Sequence, residues 1–178
     1  MKKIKAVVAV VVLMLMVGAD SSVVYAAEEG VTVVPGNITE RILSEAEIEA
    51  LPMEMIQMGM LEENQISSVS SSYEIHEYSQ VFDFYLDGTW IAQADAACIV
   101  YRYTDGKVHL YSRNIGLRSL AYYDGYITYG RIVNTDGSVC YTTGDSVTVY
   151  DFIDMWTYAI DFAATATGQS FSCYPITY

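Results

Sequence analysis

The segment Ile99-Val100-Tyr101-Arg102-Tyr103-Thr104-Asp105-Gly106-Lys107-Val108-His109-Leu110-Tyr111 decides how this chain is read. Apolar and polar residues alternate on both sides of Asp105-Gly106, which is the period of a strand with one buried face. Asp-Gly is a favoured hairpin turn because the tight turn needs positive φ at both central positions and these residues tolerate it. The dipeptide recurs at Asp87-Gly88, Asp124-Gly125 and Asp136-Gly137. These turns cut the run from Val81 to Tyr178 into short strands. They predict an all-β, antiparallel β-sandwich or barrel-like sandwich of about eight or nine strands.

Working outward, residues 73–86 precede the first turn, residues 89–103 follow it, and residues 107–115 pair back across the second. Residues 119–123 and 126–134 flank the third turn, and residues 138–143 follow the fourth. Thr143-Gly144-Asp145-Ser146 is a further turn leading into residues 147–151. In residues 156–166, Trp156, Tyr158, Ile160 and Phe162 fall on one face of a strand. Thr167-Gly168 then turns the chain into residues 170–178.

The N-terminal part reads differently. Lys2, Lys3 and Lys5 precede an apolar run over residues 6–17, and Val24-Tyr25-Ala26 supplies a small-residue cleavage site, so residues 1–26 are expected to be a secretory signal peptide. That run is shorter than the roughly 20 residues a spanning helix needs. Every acidic residue from Glu28 to Glu63 is Glu, and every one after Tyr78 is Asp. Glu suits helices and Asp suits turns. Residues 27–63 are therefore expected to form an acidic helical segment, residues 64–72 a Ser-rich linker, and residues 73–178 the β-sandwich domain. Ser44 with Glu47 forms a capping box and Leu43 can staple onto Ile48. Pro52 ends that helix, and a second short helix is expected over residues 53–63.

The net charge is −13 over the whole chain, and loss of three lysines and one aspartate with residues 1–26 carries it to −15. Charge of that sign repels phosphate backbones and anionic lipid. Nucleic acid is excluded as a partner, and no stable membrane insertion is expected after signal cleavage. The expected location is secreted and extracellular.

Catalytic signatures fail on inspection. A nucleophilic Gly-Asp-Ser block needs its Ser at a helix start, but after Gly144-Asp145-Ser146 the chain continues as strand and no His follows. His76-Glu77-Tyr78-Ser79-Gln80 carries Gln80 where a zinc-protease helix needs its second His. His76 and His109 are the only imidazoles. Paired carboxylates such as Asp151 and Asp154 are the remaining route to acid–base chemistry. The chain is expected to be neither an enzyme nor a cofactor carrier.

Binding residues come from the central hairpin. A two-residue turn at Asp105-Gly106 places Thr104 opposite Lys107, Arg102 opposite His109, Val100 opposite Tyr111 and Cys98 opposite Arg113, all on one side. Arg102, Lys107, His109, Tyr111 and Arg113 would then share an exposed basic face in an acidic protein. That face suits an anionic polymer or glycan, with Tyr111 as a stacking ring. It equally suits solvation alone, or the Glu-rich helix docking as a cover.

Fifteen of sixteen tyrosines lie from Tyr73 onward. Packing accounts for most of them, but Tyr123 and Tyr126, facing each other across the third turn, could form an aromatic tip. Met53, Met55, Met58 and Met60 are soft candidate ligands for Cu(I), although a helix cannot present all four on one face. Of the three cysteines, hairpin parity allows a Cys98–Cys140 disulfide only if their strands are neighbours. The expected function is a secreted, non-enzymatic protein that binds a surface, glycan or protein. The alternatives are an effector or antimicrobial protein made with an acidic pro-segment, and an exported copper binder.

Overall fold

The computed structural model describes residues 30–50 and 72–176, together with the backbone of Tyr25 and Ala26. The hydrophobic run of the expected signal peptide, Pro52, the expected second helix and its four methionines lie outside the described residues.

The chain forms two antiparallel sheets. The first holds β1 (Tyr25–Ala26), β2 (Val31–Pro35), β3 (Thr39–Leu43), β4 (Tyr73–Leu86), β5 (Thr89–Tyr103) and β6 (Val108–Ser119), with helix α1 (Glu45–Glu49) between β3 and β4. The second holds β7 (Asp124–Thr128), β8 (Arg131–Asn134), β9 (Val139–Thr143), β10 (Ser146–Tyr150), β11 (Met155–Thr165) and β12 (Gly168–Pro175). The architecture is an all-β sandwich, as its turns predict. The strand count differs from eight or nine: eleven strands of four or more residues are described, besides the short β1. The surplus comes from the acidic segment, where β2 and β3 pair end to end along β4. Val31-Thr32-Val33-Val34 is β-branched throughout, which favours strand over the helix its acidic neighbours suggest.

The main core draws on both sheets. Val33, Phe82, Phe84 and Ala94 from the first meet Val147, Val149, Tyr158 and Ile160 from the second. A second cluster joins Tyr78, Cys98, Val100 and Leu110 to Cys140, Phe162 and Ala164. On the outer face of the first sheet, Leu43 and Ile48 cover Ile75 and Ile99. Helix α1 carries the expected capping box, with Ser44 accepting from the Glu47 amide and the Glu47 side chain accepting from the Ser44 amide.

The four Asp-Gly dipeptides have three different outcomes. At Asp87-Gly88 both residues have positive φ, 49° and 81°, and Leu86 pairs with Thr89 in a two-residue hairpin. At Asp105-Gly106 and Asp136-Gly137 only the Gly is left-handed. There the Tyr103 and Thr135 amides donate to Lys107 and Val139 across three-residue loops. Asp124-Gly125 is no turn at all, because both residues lie within β7, which pairs with β10. Gly125 is needed for space: a Cβ there would lie 2.6 Å from both Leu117 Cδ2 and the Thr148 carbonyl oxygen.

The second sheet is interrupted along one line. β9 and β10 both pair with β11, and β8 and β7 pair in turn with β9 and β10. Tyr129-Gly130 separates β7 from β8, and Gly144-Asp145 separates β9 from β10. At the gap the Gly130 amide donates to Asp145 Oδ1 at 2.7 Å and Arg113 donates to the Gly130 carbonyl at 2.9 Å. Arg113 and Asp145 pair at 2.5 Å, 3% and 2% exposed. The β11 amides facing the gap are also satisfied, Ile160 by the Asp145 carbonyl and Phe162 by Thr142 Oγ1. The edge of β6 is closed in the same way: the Asn134 amide group exchanges bonds with both backbone groups of Leu110, and Tyr129 Oη does so with Ile115. Side chains thus replace ladder bonds that would otherwise invite pairing with another chain.

A Cβ at Gly130 would sit 2.0 Å from the Thr143 carbonyl oxygen, whereas one at Gly168 meets nothing within 4 Å. Gly130→Ala should therefore cost more than about 3 kcal/mol in urea unfolding, against less than about 1 kcal/mol for Gly168→Ala.

Candidate functional site

The residues expected to form one basic face are separated in the structure. The three-residue loop at Asp105-Gly106 offsets the register by one, so Arg102 faces Val108 and Tyr101 faces His109. A bulge at Tyr111 reverses the offset, and Cys98 faces Arg113 as expected. Arg102 and Arg113 therefore point between the sheets. His109 is half-buried on the other side, where burial lowers its pKa, and Tyr111 packs edge-on to Tyr101 at 5.5 Å. Lys107 stays exposed and pairs with Asp105.

Arg102 serves as a tie between the sheets. It donates to Tyr78 Oη at 2.7 Å, to the carbonyls of Thr165, Ala166 and Gly168, and to Gln169 Oε1. Tyr78 Oη in turn donates to Glu40 Oε1, which also meets His76 Nδ1 at 2.7 Å. Burial acts to raise the Glu40 pKa, but hydrogen bonds from Tyr78 and His76 and the charges of His76 and Arg102 leave it below the usual value. Beside this network Ser72, Tyr73, Glu74, Arg102, Tyr103 and Thr104 line a shallow depression of about 430 Å³. The network's carboxylate and hydroxyl partners are engaged with one another, and its geometry fastens β3 and the β11–β12 turn to β4 and β5.

The opposite end of the second sheet carries the most exposed large apolar residues among the described ones. The β10–β11 turn, Asp151-Phe152-Ile153-Asp154, leaves Phe152 99% and Ile153 89% exposed. The turn holds them there. Asp151 Oδ1 accepts from the amides of Ile153 and Asp154, both at 2.8 Å, and the Asp151 amide donates to the Asp154 carbonyl. Those backbone bonds lower the Asp151 pKa. The carboxylate considered for acid–base work is thus committed to holding a turn. Around the base stand Met155, 62% exposed, Tyr126, 51% exposed, and Tyr150, whose ring lies 6.4 Å from that of Tyr126. Tyr122, 82% exposed, precedes β7 at the same end, where Asp124 pairs with Tyr150.

The expected Tyr123–Tyr126 pair does not form, since both belong to one continuous run and alternate faces. Tyr123 turns toward Trp156 and the core, and Tyr126 toward solvent. The residues that sequence reasoning missed are Phe152 and Ile153. Their signal was two large apolar residues inside an Asp-bracketed turn, where turn chemistry favours polar ones.

The expected Cys98–Cys140 bridge is also absent: Cys98, Cys140 and Cys173 are all free and buried. Cys98 on β5 and Cys140 on β9 belong to opposite sheets, so their strands are not ladder neighbours, although both side chains enter the same core cluster between the sheets. Among the described residues no His, Cys, Asp and Glu cluster has the form of a metal site. No helix among them is long and apolar enough to cross a membrane. No family model matches this chain, and neither a curated protein nor a solved structure does.

Burial raises the Cys140 thiol from 9.0 to about 11 and pushes Cys98 and Cys173 up as well. Above pH 9 the unfolded chain releases thiol protons that the folded chain keeps, so stability falls as pH rises. The melting temperature should therefore decline through the window from pH 9 to 11, less steeply in Cys140→Ala, and denatured protein should titrate three free thiols.

Proposed function

We propose that this chain is a secreted, non-enzymatic binding protein that engages its target through the β10–β11 tip. The observation that carries this reading is the exposure of Phe152 and Ile153 on a hydrogen-bonded turn. Large apolar side chains standing together in water mark a contact surface. A turn that fixes them beforehand lowers the ordering cost of contact. Cleavage of a signal peptide over residues 1–26 would remove only the two residues of β1 from the first sheet and leave all three core clusters whole. In this reading the acidic surface and low count of cations keep the protein away from nucleic acid.

The alternative with a removable acidic pro-segment is less well supported. Cutting near residue 64 would strip β2 and β3 from β4, uncovering Phe82 and Phe84, which are 2% and 0% exposed. Burying each such ring is worth about 1.5–3 kcal/mol. The copper reading rests on methionines outside the described residues.

Labelled wild-type protein and a Phe152→Ser/Ile153→Ser variant, applied to intact cells of the source, test the proposal. Retention should fall at least about tenfold in the variant, which corresponds to about 1.4 kcal/mol, while its melting temperature stays within a few degrees. Equal retention of both proteins would remove the tip from the account. Mass spectrometry of the exported form should place its start near Ala27 and not near residue 64.

A further inference from the structure

Resting on the tip as the contact surface, we infer that what it meets is the face of a zwitterionic, choline-headed lipid bilayer. Four features of the tip converge on that occupant.

The first is shape. Phe152 and Ile153 stand out from the end of a hairpin, 99% and 89% exposed, and are adjacent in sequence. A projecting pair enters a fluid acyl boundary without requiring a matching pocket, and interfacial segments bury apolar residues about 5–10 Å into that region.

The second is the backbone. Unsatisfied peptide groups are what keep irregular turns out of apolar surroundings. In this turn the amides of Asp151, Ile153 and Asp154 already donate within the turn, to the Asp154 carbonyl and the Asp151 carboxylate. The loop can shed water at its apex with those donors still paired.

The third is the collar. Behind the apex stand Tyr122, Tyr126 and Tyr150, with Met155 beside them. Tyrosine places an apolar ring and a polar hydroxyl at one level, the arrangement enriched at membrane–water interfaces.

The fourth is charge, which selects the lipid. Asp151 and Asp154 bracket the apex and Asp124 lies opposite Tyr150 on the neighbouring strand, while Arg118, the cation near the end of β6, is engaged by Gln93 and Asp95. Anionic headgroups are repelled by such a rim. A phosphocholine headgroup instead turns a quaternary ammonium outward. Carboxylates attract it, and the faces of aromatic rings attract it as well. Tyr126 and Tyr150, 6.4 Å apart and inclined at 50°, offer two such faces.

Co-sedimentation with protein-free phosphatidylcholine vesicles, alongside phosphatidylglycerol vesicles, tests this. The wild-type chain should sediment with phosphatidylcholine and at least tenfold less with phosphatidylglycerol. Phe152→Ser/Ile153→Ser should lose at least tenfold in vesicle binding at an unchanged melting temperature. Phe152→Trp should keep binding, and its emission, after subtracting that of the parent, should move to the blue on adding phosphatidylcholine. Absence of wild-type sedimentation, a preference for phosphatidylglycerol, or binding indifferent to the Ser substitutions would each overturn the lipid assignment. Retention on cells that depends on the tip, without vesicle binding, would mean a protein target and would leave the contact reading standing. Retention indifferent to the tip would end both.

Discussion

Arg113 and Asp145, a buried pair at the interruption of the second sheet, supply the constraint on which the rest of the structure depends. A buried ion pair is seldom a net source of stability, since desolvation consumes most of its attraction. What this pair supplies is hydrogen bonding where the ladder stops. Both backbone groups of Gly130 end on it, one on each partner. Because Arg113 belongs to β6 of the first sheet and Asp145 to the second, the same contact sets the two sheets against each other. Arg102 does the equivalent at the far end, where it ties β5 to the β11–β12 turn. Two arginines in a chain poor in cations are thus used internally, as inter-sheet braces.

How much of this was legible depends on the kind of signal. Hydrophobic alternation located β4, β5 and β11, and the first Asp-Gly turn fixed the β4–β5 hairpin to the residue, with strands ending at Leu86 and starting at Thr89. Ser44 and Glu47 announced the helix start. What failed was register. Asp-Gly serves a two-residue turn and a three-residue turn equally well, because both want Gly left-handed and they differ only in the preceding residue. One residue of difference moves every side chain to the other face, which is why Arg102 was expected in water and lies between the sheets. Gly125 misled for a separate reason: it is small for the sake of Leu117 and Thr148, contacts made across the fold and invisible locally. β2 and β3 were hidden by acidic composition, which outweighed the β-branched run of Val31 to Val34.

The candidate site was legible in part. The sequence marked turn tips as places for recognition, but pointed to tyrosines at a turn that does not exist. The tip that does exist combines a turn closed on itself with apolar residues that none of the described residues covers. The interruption of the second sheet and the position of that tip belong together. By dividing one long strand into β9 and β10, the gap leaves β10 and the first half of β11 as a short hairpin ending in Phe152 and Ile153.

The most direct measurement of this account is a double-mutant cycle on the brace, with Arg113→Met, Asp145→Asn and the combined variant compared by urea unfolding. The structure predicts a favourable coupling of at least about 1.5 kcal/mol, with the combined variant more stable than the two single losses would sum to. A coupling within about 0.3 kcal/mol of zero would contradict it, because the two side chains would then act independently and could not together hold the interrupted sheet.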